Sequence, residues 1–191
     1  MNRTDPRSYL PLALMLLGTW GCASSGPKYH DASMDFGSVR SVAVLPFQNL
    51  SRDTQASDRV REVFAGTLIA TSGIYVVPAG EVQRNIMKLN IGTPATPSIE
   101  EVLKLGQALK VDAVITGVLK EYGEVRSGNA ASNVISVSAQ MTEVSTGRMV
   151  WSASTTKGGI TFGDRLLGSG GAPMNQVTEA AVDELLSKLF K

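Results

Sequence analysis

The sequence predicts an α/β fold: a single domain with a mixed β-sheet and flanking helices, in the order β-α-β-α-α-β-β-β-α. Three observations predict it. Val39–Phe47 (VRSVAVLPF) is apolar on both faces, as expected of a central strand covered on both sides. Segments of helical period separate the early strands, which places helices between parallel neighbours. Late in the chain, Asn133–Val144 alternates strictly and turns at Ser145-Thr146-Gly147 into a second strand, which reads as an antiparallel hairpin. The chain has 191 residues, 43% hydrophobic and 18% charged, enough for one core and unlike a disordered composition.

Pro46 ends the first strand, and Gln48–Thr54 reads as a polar loop in which Asp53 or Thr54 can cap a helix. That helix runs to about Thr71 on a stripe of Val60, Val63, Phe64, Thr67 and Leu68, with Gly73 as its stop. Ile74–Val77 is a short strand closed by Pro78. Ala79–Leu89 is a helix burying Val82, Ile86 and Leu89. After a proline-containing loop, Ser98 and Glu101 have capping-box spacing at the start of a helix through Lys110. Val111–Tyr122 is a strand and Gly123–Ser132 a polar turn. In the next strand Ile135, Val137, Ala139 and Met141 share one face, and Ser136, Ser138, Gln140 and Thr142 the other. Arg148–Thr156 is its partner. Lys157–Pro173 is a glycine-rich loop, and Met174–Phe190 a last helix burying Val177, Ala181, Val182, Leu185 and Leu189.

The N-terminus reads as an address. Arg3 and Arg7 precede an apolar run, Leu10–Leu17, far shorter than the roughly 20 residues that span a bilayer. Gly18-Thr19-Trp20-Gly21 then leads to Cys22, the only cysteine, with the small Gly21 directly before it. Residues 1–21 are therefore expected to be a lipoprotein signal peptide. Cys22 is expected to carry the lipid, and 22–37 to form a flexible tether ahead of a periplasmic domain at 38–191. Trp20 and Thr19 depart from the usual residues before such a cysteine. Formal net charge is +1, contributed by Arg3, Arg7 and Asp5 together, so the processed chain is neutral and has no long-range attraction for nucleic acid.

No catalytic constellation is legible. His30, the one histidine, lies in the tether, and Cys22 is committed to lipid, which excludes a Cys–His pair and a Cys/His metal site. Glu100/Glu101 and Asp183/Glu184 read as cap and solvated face. Gly168-Ser169-Gly170-Gly171 lacks the spacing and lysine of a phosphate loop. The chain is expected not to be an enzyme and to use no cofactor. Trp151 is open to two readings, a core residue or an anchor at a membrane or subunit interface. Phe162, Leu166 and Leu167 add apolar surface that suits the interface reading.

Three stretches carry a resemblance: Ser41–Phe47 with Gln48–Ser51, Val111–Gly117, and Val134–Thr156 centred on Ser145–Ser152. In that order they resemble the CsgG-type lipoproteins, a superfamily that includes the curli secretion channel CsgG, the Pel exopolysaccharide export lipoprotein PelC and the penicillin-binding-protein activator LpoB. The resemblance spans nearly the whole processed chain, and its motifs specify fold better than partner. The channel member builds a barrel from two long hairpins. The matching places here, Glu121–Ser132 and Lys157–Pro173, are too short or glycine-broken for strands of roughly 9–11 alternating residues. No pore of its own is expected, and the chain is closest in shape to the PelC-like members.

The resemblance implies an outer-membrane-anchored, periplasmic homo-oligomer, a ring whose lumen of one charge sign guides an exported polymer, an exopolysaccharide or a secreted fibre subunit, toward an outer-membrane channel. The alternative it implies is an activator of a cell-wall (peptidoglycan) synthase. Such activators cross the peptidoglycan on longer tethers. About 15 residues at ~3.5 Å each reach only roughly 50 Å, which disfavours that role.

Overall fold

The computed structural model describes residues 26–160 and 171–190. Seven strands form one sheet: β1 (Lys28–His30), β2 (Ser41–Val44), β3 (Gln48–Asn49), β4 (Tyr75–Val76), β5 (Ala113–Ser127), β6 (Ala130–Glu143) and β7 (Met149–Gly158). Four helices accompany them: α1 (Ala56–Ser72), α2 (Ala79–Lys88), α3 (Ile99–Leu109) and α4 (Met174–Ser187). The strand order is β1-β7-β6-β5-β2-β4, with β3 also on β5. The β2–β4, β2–β5 and β3–β5 pairs are parallel. The remaining three pairs are antiparallel. The sheet is therefore mixed and the domain α/β, as predicted.

Each face of β2 feeds a different core. Val42 and Val44 join Phe64 and Leu68 of α1 and Ala181 and Leu185 of α4 on one side. Ala43 joins Val82 and Ile86 of α2 and Val102 and Leu105 of α3 on the other. This explains why Val39–Phe47 lacks alternation: both faces are dry. From β6 only one face is covered. Ile135, Val137, Ala139 and Met141 pack under α4 as their period-two spacing predicts.

Several boundaries differ from expectation, each for a local reason. Pro46 has no N–H to give, so the ladder breaks there. The chain does not leave the sheet, however. Gln48 and Asn49 pair with Val118 and Leu119, making a strand where a loop was expected. The α1 helix starts at Ala56 behind Gln55 without a side-chain cap; Asp53 instead accepts from the Gln55 amide at 3.0 Å. The expected polar turn at Gly123–Ser132 is strand: β5 and β6 run on as a long hairpin that reverses at Gly128, φ +59°. Gly73 does stop α1 in the left-handed conformation, φ +65°, and Ser98 and Glu101 form the full capping box.

The expected tether through Gly37 is the largest correction. Lys28–His30 pairs with Trp151–Ala153 as an edge strand. Asp31 accepts hydrogen bonds from Ser33 and from Arg148, the latter at 2.6 Å. His30 Nε2 donates to the Leu189 carbonyl at 3.0 Å. These long-range partners are invisible in a stretch that by composition alone reads as linker. Cys22 and the expected signal peptide lie outside the described residues.

Candidate functional site

Among the described residues, no helix covers the outward face of β6 and β7. The pairing sets Ser138 against Ser154 and Val118, and Gln140 against Ser152 and Thr116. The inward neighbours are apolar and core-facing, so alternation turns this polar set out to water. Thr156 donates to the Ser136 hydroxyl at 3.0 Å on the same face.

The α3 side supplies a wall. Its capping box holds the preceding segment, Ala95–Pro97, beside the sheet. Between them is a cleft of about 500 Å³ with Gln48, Thr116, Ser138, Gln140 and Ser152 among its lining residues and Ile99 and Met149 at its rim. Ile99 is 43% exposed and Met149 44%. No ionisable side chain lines it. A cleft of hydroxyls, amides and methyls offers neither a general base nor a fixed charge. It suits a neutral polar chain or another protein surface.

The charged groups gather elsewhere and do structural work. Glu184 of α4 and Lys188, which caps its C-terminus, form an ion pair at 2.8 Å. Lys157 pairs with the same carboxylate, and Thr155 donates to it at 2.9 Å. Lys188 also donates to the Ser154 carbonyl at 2.8 Å. Burial would raise the Glu184 pKa, but the hydrogen bonds from Lys157, Lys188 and Thr155 outweigh it and bring the group down to about 2. Glu184 is thus a clamp between α4 and β7, where a solvated face was expected. Asp112 sits low for a related reason: its slight desolvation is outweighed by the Arg40 and Ser41 amides and the Ser41 hydroxyl, which tie β2 to the start of β5.

The sequence-predicted residues fare differently. Trp151 is fully buried, and its indole N–H donates to the Lys188 carbonyl at 3.1 Å. A β-bulge between Met141 and Thr142 lets Val150 and Trp151 both enter the core. Of the two readings left open for Trp151, the core one describes this fold; the indole is not on the surface of the single chain. Cys22, Phe162, Leu166 and Leu167 lie outside the described residues. Gly171 packs against Ser132, and its amide donates to the Ala131 carbonyl at 3.3 Å. Among the described residues no group of three or more His, Cys, Asp or Glu side chains is placed to hold a metal, and no helix is long and apolar enough to cross a membrane.

The cleft was missed because its members come from five separate segments. The one available signal was the Ser136/Ser138/Gln140/Thr142 alternation, which marks a polar face without telling what stands beside it.

Known structures share this architecture. The PelC dodecamer from Paraburkholderia phytofirmans is similar over 85% of this chain and 96% of its own, at 16% identity and TM-score 0.58. Lipoprotein GNA1162 from Neisseria meningitidis is similar over 77% of this chain and 98% of its own, at 24% identity and TM-score 0.53. Protein CT253 from Chlamydia trachomatis follows at 14% identity and TM-score 0.50, over 78% of this chain and 94% of its own. At these identities the likeness is one of fold. No curated protein matches the chain. The sequence profile of the GNA1162-like lipoproteins matches residues 31–189, from just after the edge strand to just past the last helix, and the chain belongs to that family.

Proposed function

We propose that this protein is a non-catalytic, lipid-anchored periplasmic assembly component of an envelope export system, working as an oligomer at the outer membrane. The observation that carries the reading is the open cleft beside α3, lined by hydroxyls, amides and methyls without charge, on a lipoprotein fold. A face of hydroxyls and amides rimmed by exposed Ile99 and Met149 has the chemistry of a docking surface. The structural neighbour PelC is a dodecamer, which supports self-association here. Cys22 would hold the domain at the membrane through its lipid chains, since stable anchoring takes at least two. Lateral contacts would build the ring, and the ring would position an exported polymer.

The test is the native mass of the lipidated protein in detergent, beside a soluble version starting after Cys22. A discrete high-order oligomer, formed or strengthened by the lipid, is the expected result. A monomer in both forms at high concentration overturns the ring. It would direct attention to a single-copy partner, a cell-wall synthase among them.

A further inference from the structure

We infer that the domain lies on the membrane by its β1 edge and the outward sheet face beside that edge, with Lys28, Tyr29 and Lys120 against the lipid headgroups. The inference rests on Cys22 carrying the lipid. Its second foundation is how Gly26 is held. Gly26 is packed so tightly on the Ser154 carbonyl that a Cβ there would come within 2.6 Å of it, and the Pro27 carbonyl accepts from the Ser154 amide at 3.2 Å. Only four residue steps separate this fixed point from Cys22, so Gly26 stays within roughly 14 Å of the lipidated residue.

That length selects among orientations. Ser154 is level with Ser138 and Val118 in the sheet. The β5–β6 hairpin continues from Val118 to Ser127, nine residues further, roughly 30 Å at ~3.3 Å each. Standing upright with the hairpin tip down would hold Gly26 twice as far from the membrane as the tether spans. Sinking the tip into the bilayer would bury Glu124 and Arg126, both exposed and paired with each other. Standing on the opposite turn, at Ser145, puts five residues of β7, roughly 17 Å, below Gly26. The tether would then have to double back along β1. Lying on the β1 edge needs neither.

The chemistry of that edge agrees. Lys28 and Tyr29 on the edge, and Lys120 on β5 three strands in, surround a shallow cavity of about 360 Å³ floored by Ser138, Ser152 and Ser154. Tyr29 is 45% exposed. Tyrosine and lysine are the side chains favoured at a headgroup layer, and hydroxyls hydrogen-bond phosphate and glycerol oxygens.

The test uses the full lipidated protein in vesicles of phosphatidylethanolamine and phosphatidylglycerol. The Cys22 sulfur is consumed by its lipid, so a single introduced cysteine labels uniquely. Fluorophores at Tyr29→Cys, Tyr75→Cys and Ser145→Cys would be read for quenching by headgroup-attached nitroxide. Tyr75 is on β4, five strand spacings from β1, about 24 Å. Strong quenching at Tyr29→Cys with little at the other two is expected. Adding Lys28→Glu and Lys120→Glu should lower the ratio of docked to undocked protein by roughly fivefold per lysine. Quenching that is equal at the three sites, or strongest at Ser145→Cys or Tyr75→Cys, in protein that still floats with the vesicles overturns the docking. Protein that does not float removes the anchor itself, and the docking with it.

Discussion

Replacing Trp151 by alanine should destabilise the domain by about 3–5 kcal/mol, the range for emptying a buried tryptophan site. Three features set the expectation. The side chain is fully buried among α4 and the inner face of β6 and β7, so the removed volume leaves a cavity that rigid neighbours cannot close. The β-bulge that admits it also fixes Val150, so relaxation is costly. The Lys188 carbonyl loses its indole donor, and a buried acceptor left unpaired adds about 1–3 kcal/mol within the same total. Trp151→Phe separates the contributions: it keeps most of the ring packing and loses the N–H, so about 1–2 kcal/mol is expected. Against a total stability of about 5–15 kcal/mol, the alanine variant sits near the edge of folding and the phenylalanine variant well inside it. The assay is urea unfolding of the soluble version followed by far-ultraviolet circular dichroism. In that version Trp151 is the only tryptophan, because Trp20 lies before Cys22. Wild-type emission should therefore be blue-shifted and move red in one step with the dichroism. Loss of less than about 1 kcal/mol on Trp151→Ala, or exposed-type emission in the folded wild type, would refute the core assignment.

Acid should loosen the α4–β7 clamp. The Glu184 carboxyl falls from an ordinary 4.5 to about 2 on folding, so its contribution is complete above pH 4.5 and is lost as pH falls through about 2. The shift corresponds to at most about 3 kcal/mol. Glu184→Gln should flatten this part of the stability–pH profile in urea titrations between pH 2 and 6. Gly117→Ala places a Cβ 2.8 Å from the Phe47 ring, itself edge-on to Phe64, so a loss of about 1–3 kcal/mol is expected in the same unfolding assay. Gly66 sits inside α1 with open space where a Cβ would go, and Gly66→Ala should stabilise by about 0.5–1 kcal/mol, seen as a higher urea midpoint at unchanged slope.

The α/β class, the helices and the hairpin face were legible because each rests on neighbours along the chain: the period of the α1 stripe, the Ser98–Glu101 box, the alternation of Ile135–Met141. What depended on partners far along the chain was not. Lys28–His30 becomes a strand only because β7 needs an edge and Leu189 offers a carbonyl to His30. Glu184 looks solvated until Lys157, Thr155 and Lys188 converge on it. The cleft exists only where Gln48, the α3 wall and three strands meet. Local periodicity thus determined which face of each element is apolar. Only the tertiary structure decided which polar face would be left uncovered, because that depends on how many helices the sheet has to cover it and where the chain runs out of them.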